Sequence, residues 1–226
     1  MAVDLVLSSG FLAFAEQAGF LAAVEDEGLE VGALCGTSSG ALAGSLWLAG
    51  LTAEDVFHEL CDRAPLAWVA PSWAPWRGLF GLGRVIEELE RHLPDRFEEL
   101  SRPMGAGVAR GTEPLLITSG RLVDAVAASC AVPWLFQPVQ REGEVLQDGG
   151  VVDRTALPAW RALRPGQSVV LHLLDSSRGV DAPPPAMADL TVCRSAASGA
   201  RLWSLGDAAA RFAHTRSRTR RVLQSR

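Results

Sequence analysis

The sequence predicts an α/β protein in which a central, mainly parallel sheet is flanked by helices on both faces. Two short apolar runs, residues 3–7 and 31–35, are each followed by a helical pattern, and such a dense strand–helix–strand–helix order is typical of a parallel sheet covered by helices. Hydrophobic residues make up 48% of the 226 residues and charged residues 21%, a composition that supports a full core. We therefore expect one domain, residues 1–226.

The first strand–helix unit begins the chain. Residues 3–7 are predicted to form a buried strand that leads into Ser8-Ser9-Gly10, and a helix is expected from about Ala13 to Glu27, ending at Gly28. A loop between a buried strand and a helix can present backbone N–H groups to a ligand. The loop at Gly10 is therefore a candidate part of a functional site.

The second unit contains Gly36-Thr37-Ser38-Ser39-Gly40 between the apolar run 31–35 and a Leu/Ala-rich helical pattern. Strand, G-x-S-x-G and helix in this order are the sequence signature of a nucleophile elbow, although the motif alone is weak. Gly36 and Gly40 permit a sharp turn, and Ser38 would stand at the helix N-terminus, where unpaired N–H groups can meet negative charge. Ser38 is thus the candidate nucleophile, and the N–H of Ser39 is a candidate oxyanion donor.

Residues 64–83 differ in character from their neighbours. Three prolines interrupt regular structure there, and three tryptophans supply bulky apolar surface with Arg77 as the one charged residue. Tryptophan favours places that are apolar on one side and wet on the other. The segment is therefore either packed on the core or a lid that contacts lipid, and the sequence leaves both possibilities open.

Local patterns predict the other elements. A helix is expected after Thr52 as its N-cap. The later elements are predicted in the following order: a helix over 83–93, two short strands within 103–118, a buried helix from 122 that Pro133 closes, a strand over 144–147, a last core strand over 168–174, a Pro-rich connector at 182–186, and one or two helices over 190–213. A basic tail, 214–226, follows.

Three landmarks in order resemble the patatin-like phospholipase family. They are the elbow at Ser38, the A-S-x-x-x-P segment of Ala128 to Pro133, and the turn Asp148-Gly149-Gly150. The resemblance covers roughly residues 3–155 and implies a patatin-like fold, to which the strand and helices of 168–213 would be appended. It also implies that Ser38 is the nucleophile and Asp148 its catalytic partner.

A Ser–Asp dyad agrees better with the chain than a Ser–acid–His triad. An ordinary α/β-hydrolase places several strands before the elbow, whereas one strand–helix unit precedes Ser38. Only His172 and His214 follow Asp148, and His172 lies in an apolar run where a core role is expected; the other two histidines fall on predicted helices and are expected at the surface (His58, His92). In a dyad, burial has to raise the pKa of Asp148 from about 4 so that it can accept a proton at pH 7.

The oxyanion loop departs from the family pattern, which is usually G-G-G-x-R-G after Leu-Ser. Aligned from Leu7-Ser8, the three glycine positions hold Ser9, Gly10 and Phe11, and Ala13 replaces the arginine. Either the Gly10 and Phe11 amides still hold an oxyanion, or the chain is a weak or inactive relative that binds lipid or a partner. The loss of the arginine favours a neutral ester or thioester over a phospholipid.

The resemblance implies a serine acyl hydrolase of the esterase, lipase or phospholipase A type, acting on a lipid or acyl-ester substrate without a metal or organic cofactor. Acyl transfer to an acceptor other than water would use the same residues. The N-terminus has no basic leader and the chain no membrane-spanning pattern, so a cytoplasmic location is expected. Peripheral membrane contact through residues 64–83 or the tail stays open, and no nucleic-acid partner is expected.

Residues 194–226 contain eight arginines and a single acid, Asp207. A terminal arginine cluster can contact anionic lipid. The simpler expectation is a solvated, frayed terminus.

Overall fold

The computed structural model describes residues 2–176 and 187–225; the Pro-rich connector expected at 182–186 lies outside them. The strands are β1 (Val3–Leu7), β2 (Val31–Thr37), β3 (Ala70–Pro71), β4 (Phe80–Gly81), β5 (Met104–Arg110), β6 (Glu113–Ile117), β7 (Val139–Arg141), β8 (Glu144–Asp148), β9 (Val169–Leu174) and β10 (Leu190–Ser195). The α-helices are α1 (Phe14–Asp26), α2 (Ser39–Leu48), α3 (Ala53–Cys61), α4 (Gly83–His92), α5 (Leu122–Ser129), α6 (Leu157–Leu163) and α7 (Ala208–Gln224).

Eight of the described strands form one mixed sheet in the order β10-β9-β1-β2-β5-β8-β7, with β6 also paired to β5. The strands from β10 to β5 are parallel. β6 and β8 pair antiparallel with β5, and β7 pairs antiparallel with β8. The predicted fold class, a mainly parallel sheet, is confirmed.

Helices cover both faces of the sheet because alternate residues of its central strands point in opposite directions. Leu5 and Leu7 of β1 belong to a cluster that includes residues of α1, α2 and α5. Val6 belongs to a second cluster, with Trp160 of α6. None of the helices in the described residues combines the length and the hydropathy needed to cross a membrane.

The C-terminal part departs from the prediction of helices over 190–213. Leu190–Ser195 is strand β10, which extends the parallel sheet by pairing Leu190 with Val169 of β9. The periodicity of so short a run cannot separate a strand from a helix. The pairing with β9 decides the outcome, and that contact is not encoded within the run itself.

The basic tail is not frayed as far as Ser225, since helix α7 continues to Gln224 and packs against α1. Thr215, Thr219 and Leu223, spaced one turn apart, are buried. Arg216 donates to Asp26 of α1 at 2.6 Å and also pairs with Glu54. The tail is thus held by a stripe of buried side chains and by acidic residues that lie far away in the sequence.

His172 has the core role that the sequence predicts. Its Nδ1 lies 2.8 Å from Gln17 Oε1 and its Nε2 lies 3.0 Å from Ser195 Oγ, and its ring stacks on Phe20. Burial lowers the pKa of His172 to about 3. The imidazole is therefore neutral and links α1 to β10 within the core.

Candidate active site

Ser38 occupies a sharp turn between β2 and α2. Its backbone has φ 54° and ψ −121°, a combination that costs a non-glycine residue about 1–3 kcal/mol and is concentrated at functional sites. The residue is 9% exposed, and Ser39 opens the helix. The strained turn has the form expected of a nucleophile elbow.

Gly40 allows α2 to lie directly against the end of β1. A Cβ atom at this position would stand 2.4 Å from the carbonyl oxygen of Leu7, which is closer than packing permits. The other elbow glycine, Gly36, lies at the same crossing and faces the backbone of Ala41. Both glycines therefore shape the turn and do not themselves present a chemical group.

Ser129, at the end of α5, fixes the backbone of Ser38. The Ser38 N–H donates to Ser129 Oγ at 2.8 Å, and this hydroxyl donates to the carbonyl of Gly107 at 2.6 Å. Cys130 Sγ contacts the Ser38 carbonyl at 3.4 Å. The sequence analysis used Ser129 only as a landmark, so its contact with Ser38 is a finding of the structure.

Asp148 ends β8 and is 3% exposed. Burial raises the pKa of its carboxyl to about 6, and hydrogen bonds from the Ser38 side chain and the Gly150 backbone oppose the rise. The Gly150 N–H lies 2.7 Å from Asp148 Oδ1. The carboxylate lines the same cavity as Ser38 and has the shifted pKa that a proton acceptor near neutral pH needs.

Gly149 brings the Asp148 turn against β5. A Cβ atom at Gly149 would stand 2.6 Å from the carbonyl oxygen of Gly107. That carbonyl is the same one that accepts from Ser129. The Asp148 turn and Ser129, which holds the Ser38 N–H, thus meet at the Gly107 carbonyl.

The degenerate loop at residues 9–12 runs beside Ser38. Leu12 has φ 50°, a left-handed backbone conformation that costs a non-glycine residue about 1–2 kcal/mol. In the described part of the chain, the amide N–H groups of Gly10 and Phe11 donate to no backbone or side-chain acceptor. They are available to a ligand.

Arg154 holds this loop, which nothing in the sequence indicated. Its Nη2 donates to the carbonyls of Ser9 and Leu174 at 2.8 and 2.9 Å. The Ser9 N–H donates back to the Arg154 carbonyl at 2.7 Å. The chain lacks an arginine within the loop, yet a guanidinium from the segment after the Asp148 turn reaches it.

Two cavities meet at Ser38. A polar cavity of about 450 Å³ brings together Ser38, Asp148, Gly10, Phe11 and Gly150, with Arg154 in its wall. An apolar cavity of about 100 Å³ is lined by Ser38, Ser39 and Phe11 together with aliphatic and aromatic side chains, among them Leu42, Leu46, Leu60, Val69, Leu82 and Leu89. Of the predicted site residues, Gly36, Gly40 and Gly149 lie behind these cavities as supports.

Residues 64–83 pack on the core, which is one of the two alternatives that the sequence left open, and they also carry exposed tryptophans. Pro65, Trp68, Val69 and Leu82 line the apolar cavity. Outward from them, Trp73 is 83% exposed and Trp76 is 74% exposed. The segment therefore packs on one side and presents tryptophan to solvent on the other.

One histidine prediction is wrong. His58 is exposed as expected, but His92 is only 28% exposed and lies 3.5 Å from Glu59. Both His92 and Glu59 line the apolar cavity. The helical pattern could not show that side chains of α3 and α4 meet at this point.

The fold and the elbow define an α/β protein with a strained serine at the start of a helix and a buried carboxylate beside it. A family model described as Patatin-like phospholipase matches residues 5–162. The chain belongs to the patatin-like phospholipase family, which confirms the resemblance found in the sequence.

Its relatives are distant. An uncharacterised NTE family protein of Mycobacterium bovis is 25% identical over 182 residues, which are 78% of this chain and 50% of the relative. Another, of Mycobacterium tuberculosis, is 28% identical over 170 residues, which are 70% of this chain and 27% of the relative. The chain spans about half the length, or less, of these curated relatives.

Two solved structures share the fold. VipD from Legionella pneumophila has a TM-score of 0.62 at 13% identity and covers 99% of this chain, with 67% of its own chain aligned. A chain of the SpcU–ExoU complex from the type III secretion system of Pseudomonas aeruginosa has a TM-score of 0.53 at 12% identity, covering 99% of this chain and 52% of that one. At such identity the likeness extends to the fold alone.

Ser129→Ala tests the support of the elbow. Loss of this hydroxyl leaves the Ser38 N–H and the Gly107 carbonyl without their partner, so we expect the free energy of unfolding to fall by about 1–3 kcal/mol and labelling of Ser38 by a fluorophosphonate to slow. Denaturant titration and intact-mass kinetics measure the two effects. Ser45→Ala is the matched control, since buried Ser45 donates to Leu42 within α2; equal labelling of Ser129→Ala and wild type would contradict the role.

Arg154→Met tests the support of the loop. We expect kcat for a short p-nitrophenyl ester to fall by about 100-fold, the effect of losing one oxyanion donor, with little change in KM. Arg154→Lys should recover part of the loss because it keeps a donor. The control is Arg161→Met, which removes an arginine of α6 that pairs with Asp189. An equal fall in kcat in that variant would show a general effect on stability instead.

Proposed function

We propose that this chain is a serine acyl hydrolase of lipid-like esters, in which Ser38 is the nucleophile and Asp148 the general base. The observation that carries the proposal is the buried Asp148 carboxyl, which has its pKa raised to about 6 and lines one cavity with a serine in a strained elbow. A base of this pKa is substantially ionised at pH 7 and still able to hold a proton. Family membership supports acyl-ester hydrolysis in general.

In the proposed reaction, Asp148 accepts the proton of Ser38 Oγ as this oxygen attacks the acyl carbonyl carbon. The carbonyl oxygen becomes negative and is held by the amides of Gly10 and Phe11, with the N–H of Ser39 at the start of α2 as a further donor. The C–O bond to the alcohol then breaks, and Asp148 returns the proton to the leaving oxygen. Water, deprotonated by Asp148, attacks the acyl-enzyme and releases the acid and Ser38.

The apolar cavity is the proposed site of the acyl chain. Ser38 lies in its wall, and Leu42 and Leu46 line it along α2. Eight residues of helix separate Ser38 from Leu46, which corresponds to about 12 Å. The apolar lining therefore suits the hydrocarbon of an acyl group.

The sequence argument for a neutral ester loses its basis, because Arg154 supplies a cation in the polar cavity. A phosphate-bearing leaving group is therefore compatible with this site. We keep phospholipids and neutral esters as one substrate class, lipid-like esters.

A second candidate is a module that binds lipid or a partner without turnover. The replacement of two of the family's glycines by Ser9 and Phe11, and the positive φ of Leu12 beside them, favour it. Labelling with a fluorophosphonate separates the two candidates, because only an activated serine forms a covalent adduct with this reagent. Acyl transfer to another acceptor would be recognised from the products.

We expect wild type to form one fluorophosphonate adduct on Ser38, none in Ser38→Ala, and an adduct formed about 100-fold more slowly in Asp148→Asn. Because ionised Asp148 is the base, the labelling rate should rise about tenfold per pH unit below pH 6 and level off above it. Intact-mass spectrometry with peptide mapping over pH 4.5–8 measures this. Ser45→Ala should label like wild type.

The absence of any adduct on folded wild type would exclude the acyl hydrolase and leave the binding module. Labelling whose pH profile is unchanged in Asp148→Asn would exclude Asp148 as the base. The two results are independent, so nucleophile and base are tested separately.

We further propose that the exposed tryptophans contact the lipid surface. Trp134, 85% exposed, belongs to a segment hydrogen-bonded to residues 79–80, and it lines one surface groove with Trp76. Phe136 of that segment also lines the apolar cavity. Tryptophan at a water–apolar boundary gains from burying its ring while keeping its N–H hydrated.

Replacing Trp76 and Trp134 together by alanine should weaken binding to phosphatidylcholine–phosphatidylglycerol vesicles by more than about tenfold, since each buried large apolar side chain contributes about 1.5–3 kcal/mol. Hydrolysis of a soluble short ester should stay unchanged. Vesicle sedimentation and an esterase assay measure the two quantities. Leu163→Ala, at an exposed position on α6, is the control, and equal loss of binding in both variants would contradict the tryptophan surface.

A further inference from the structure

Three side chains with metal-binding groups meet between α3 and α4. Glu59 lies on α3, and Glu88 and His92 lie one turn apart on α4. One ligand atom from each lies within 4.8 Å of the other two. Glu59 lies 29 residues before Glu88, so their spacing along the chain does not signal a site; the fold brings the three side chains together.

The distance between the imidazole and the Glu59 carboxylate fits shared coordination. His92 Nε2 lies 3.5 Å from Glu59 Oε2, which is long for a hydrogen bond between these groups. Two ligands that each lie about 2.0–2.1 Å from a tetrahedral zinc ion are about 3.4 Å apart. The pair is thus already spaced as two ligands of one ion.

The carboxylate of Glu59 lacks a partner that its surroundings would require. Its Oε1 is shielded from solvent and accepts no hydrogen bond within the described residues. The neighbouring cavity wall is apolar, with Leu60, Val85 and Leu89. A shielded, unpaired carboxylate oxygen is unfavourable, and a bound cation would satisfy it.

The charges around the cluster also favour a cation. Glu59 and Glu88 bring two carboxylates together, and like charges at this distance repel. Arg91 donates to Glu88 Oε2 at 2.6 Å, but its side chain is 66% exposed, and such surface pairs contribute little. Within residues 2–176 and 187–225, His92 is the one basic side chain within 4.0 Å of the Glu59 carboxylate.

We propose that Glu59, Glu88 and His92 form a binding site for a divalent transition metal, of which zinc is the best match. One imidazole and two carboxylates are a donor set that suits zinc, manganese or cobalt better than calcium or copper(I). The ion would connect α3 to α4, both of which line the apolar cavity beside Ser38. The site stands on these residues alone and does not depend on the proposed hydrolase activity.

Zinc binding by the full chain, stripped with a chelator, tests the proposal. We expect one zinc ion per chain in a competition titration with a chromophoric chelator, and a rise in Tm on zinc addition because the ion binds the folded state. Glu59→Gln and His92→Gln should each weaken zinc binding by more than about tenfold. Loss of a group that only orients a metal ligand already lowers metal affinity by about 10- to 100-fold, and these two residues are ligands themselves. His58→Gln and Glu87→Gln, on the same two helices and exposed, should bind like wild type.

Cobalt(II) in place of zinc checks the donor atoms. Nitrogen and oxygen ligands give weak visible bands, whereas a cysteine ligand gives a strong near-ultraviolet charge-transfer band. Cys61, the cysteine of α3, is not among the three side chains whose ligand atoms come together, so we expect no such band. A thiolate band, stoichiometric binding retained in Glu59→Gln/His92→Gln, or no zinc binding by wild type would each overturn the proposal.

Discussion

The candidate site depends on one backbone group, the carbonyl of Gly107 in β5. It accepts the Ser129 hydroxyl that holds the Ser38 N–H, and the Asp148 turn approaches it so closely that only glycine fits at position 149. The strained serine and the buried carboxylate come from segments far apart in the chain. They meet because Ser129, which holds the Ser38 N–H, donates a hydrogen bond to this peptide of β5, and the turn after Asp148 lies directly against it.

The position of Asp148 has a cost in stability. Its pKa rises from 3.8 to about 6 on folding, so the native state binds more protons than the unfolded state between these values and stability falls as the pH rises through them. At pH 7 the ionised, buried carboxylate lowers the unfolding free energy by about 3 kcal/mol. Such a cost is typical of a functional group, because a structural residue at this place would gain from being neutral.

The parts that the sequence could predict are those carried by local patterns. Ser38 and its glycines, the Thr52 cap and the Asp148 turn each follow from a few adjacent residues, and the structure places them as expected. Strand β10, the docking of α7, the contact of Arg154 with Ser9 and the packing of His92 near Glu59 all depend on partners distant in sequence. A single chain offers no local signal for those contacts.

Ser38 also divides the surrounding space by polarity. Phe11 and Val132 line both the polar and the apolar cavity, and Ser38 lies with them at the boundary. With Ser38 as nucleophile, as proposed, an acyl chain can bury its hydrocarbon on one side while the leaving alcohol faces Arg154 and Asp148 on the other. The two halves of an ester are then distinguished by solvation, since hydrocarbon in the polar cavity would displace water from charged groups and a head group in the apolar cavity would lose its hydration. In the proposed reaction, this asymmetry would favour the orientation of the ester in which the carbonyl oxygen faces the Gly10 and Phe11 amides.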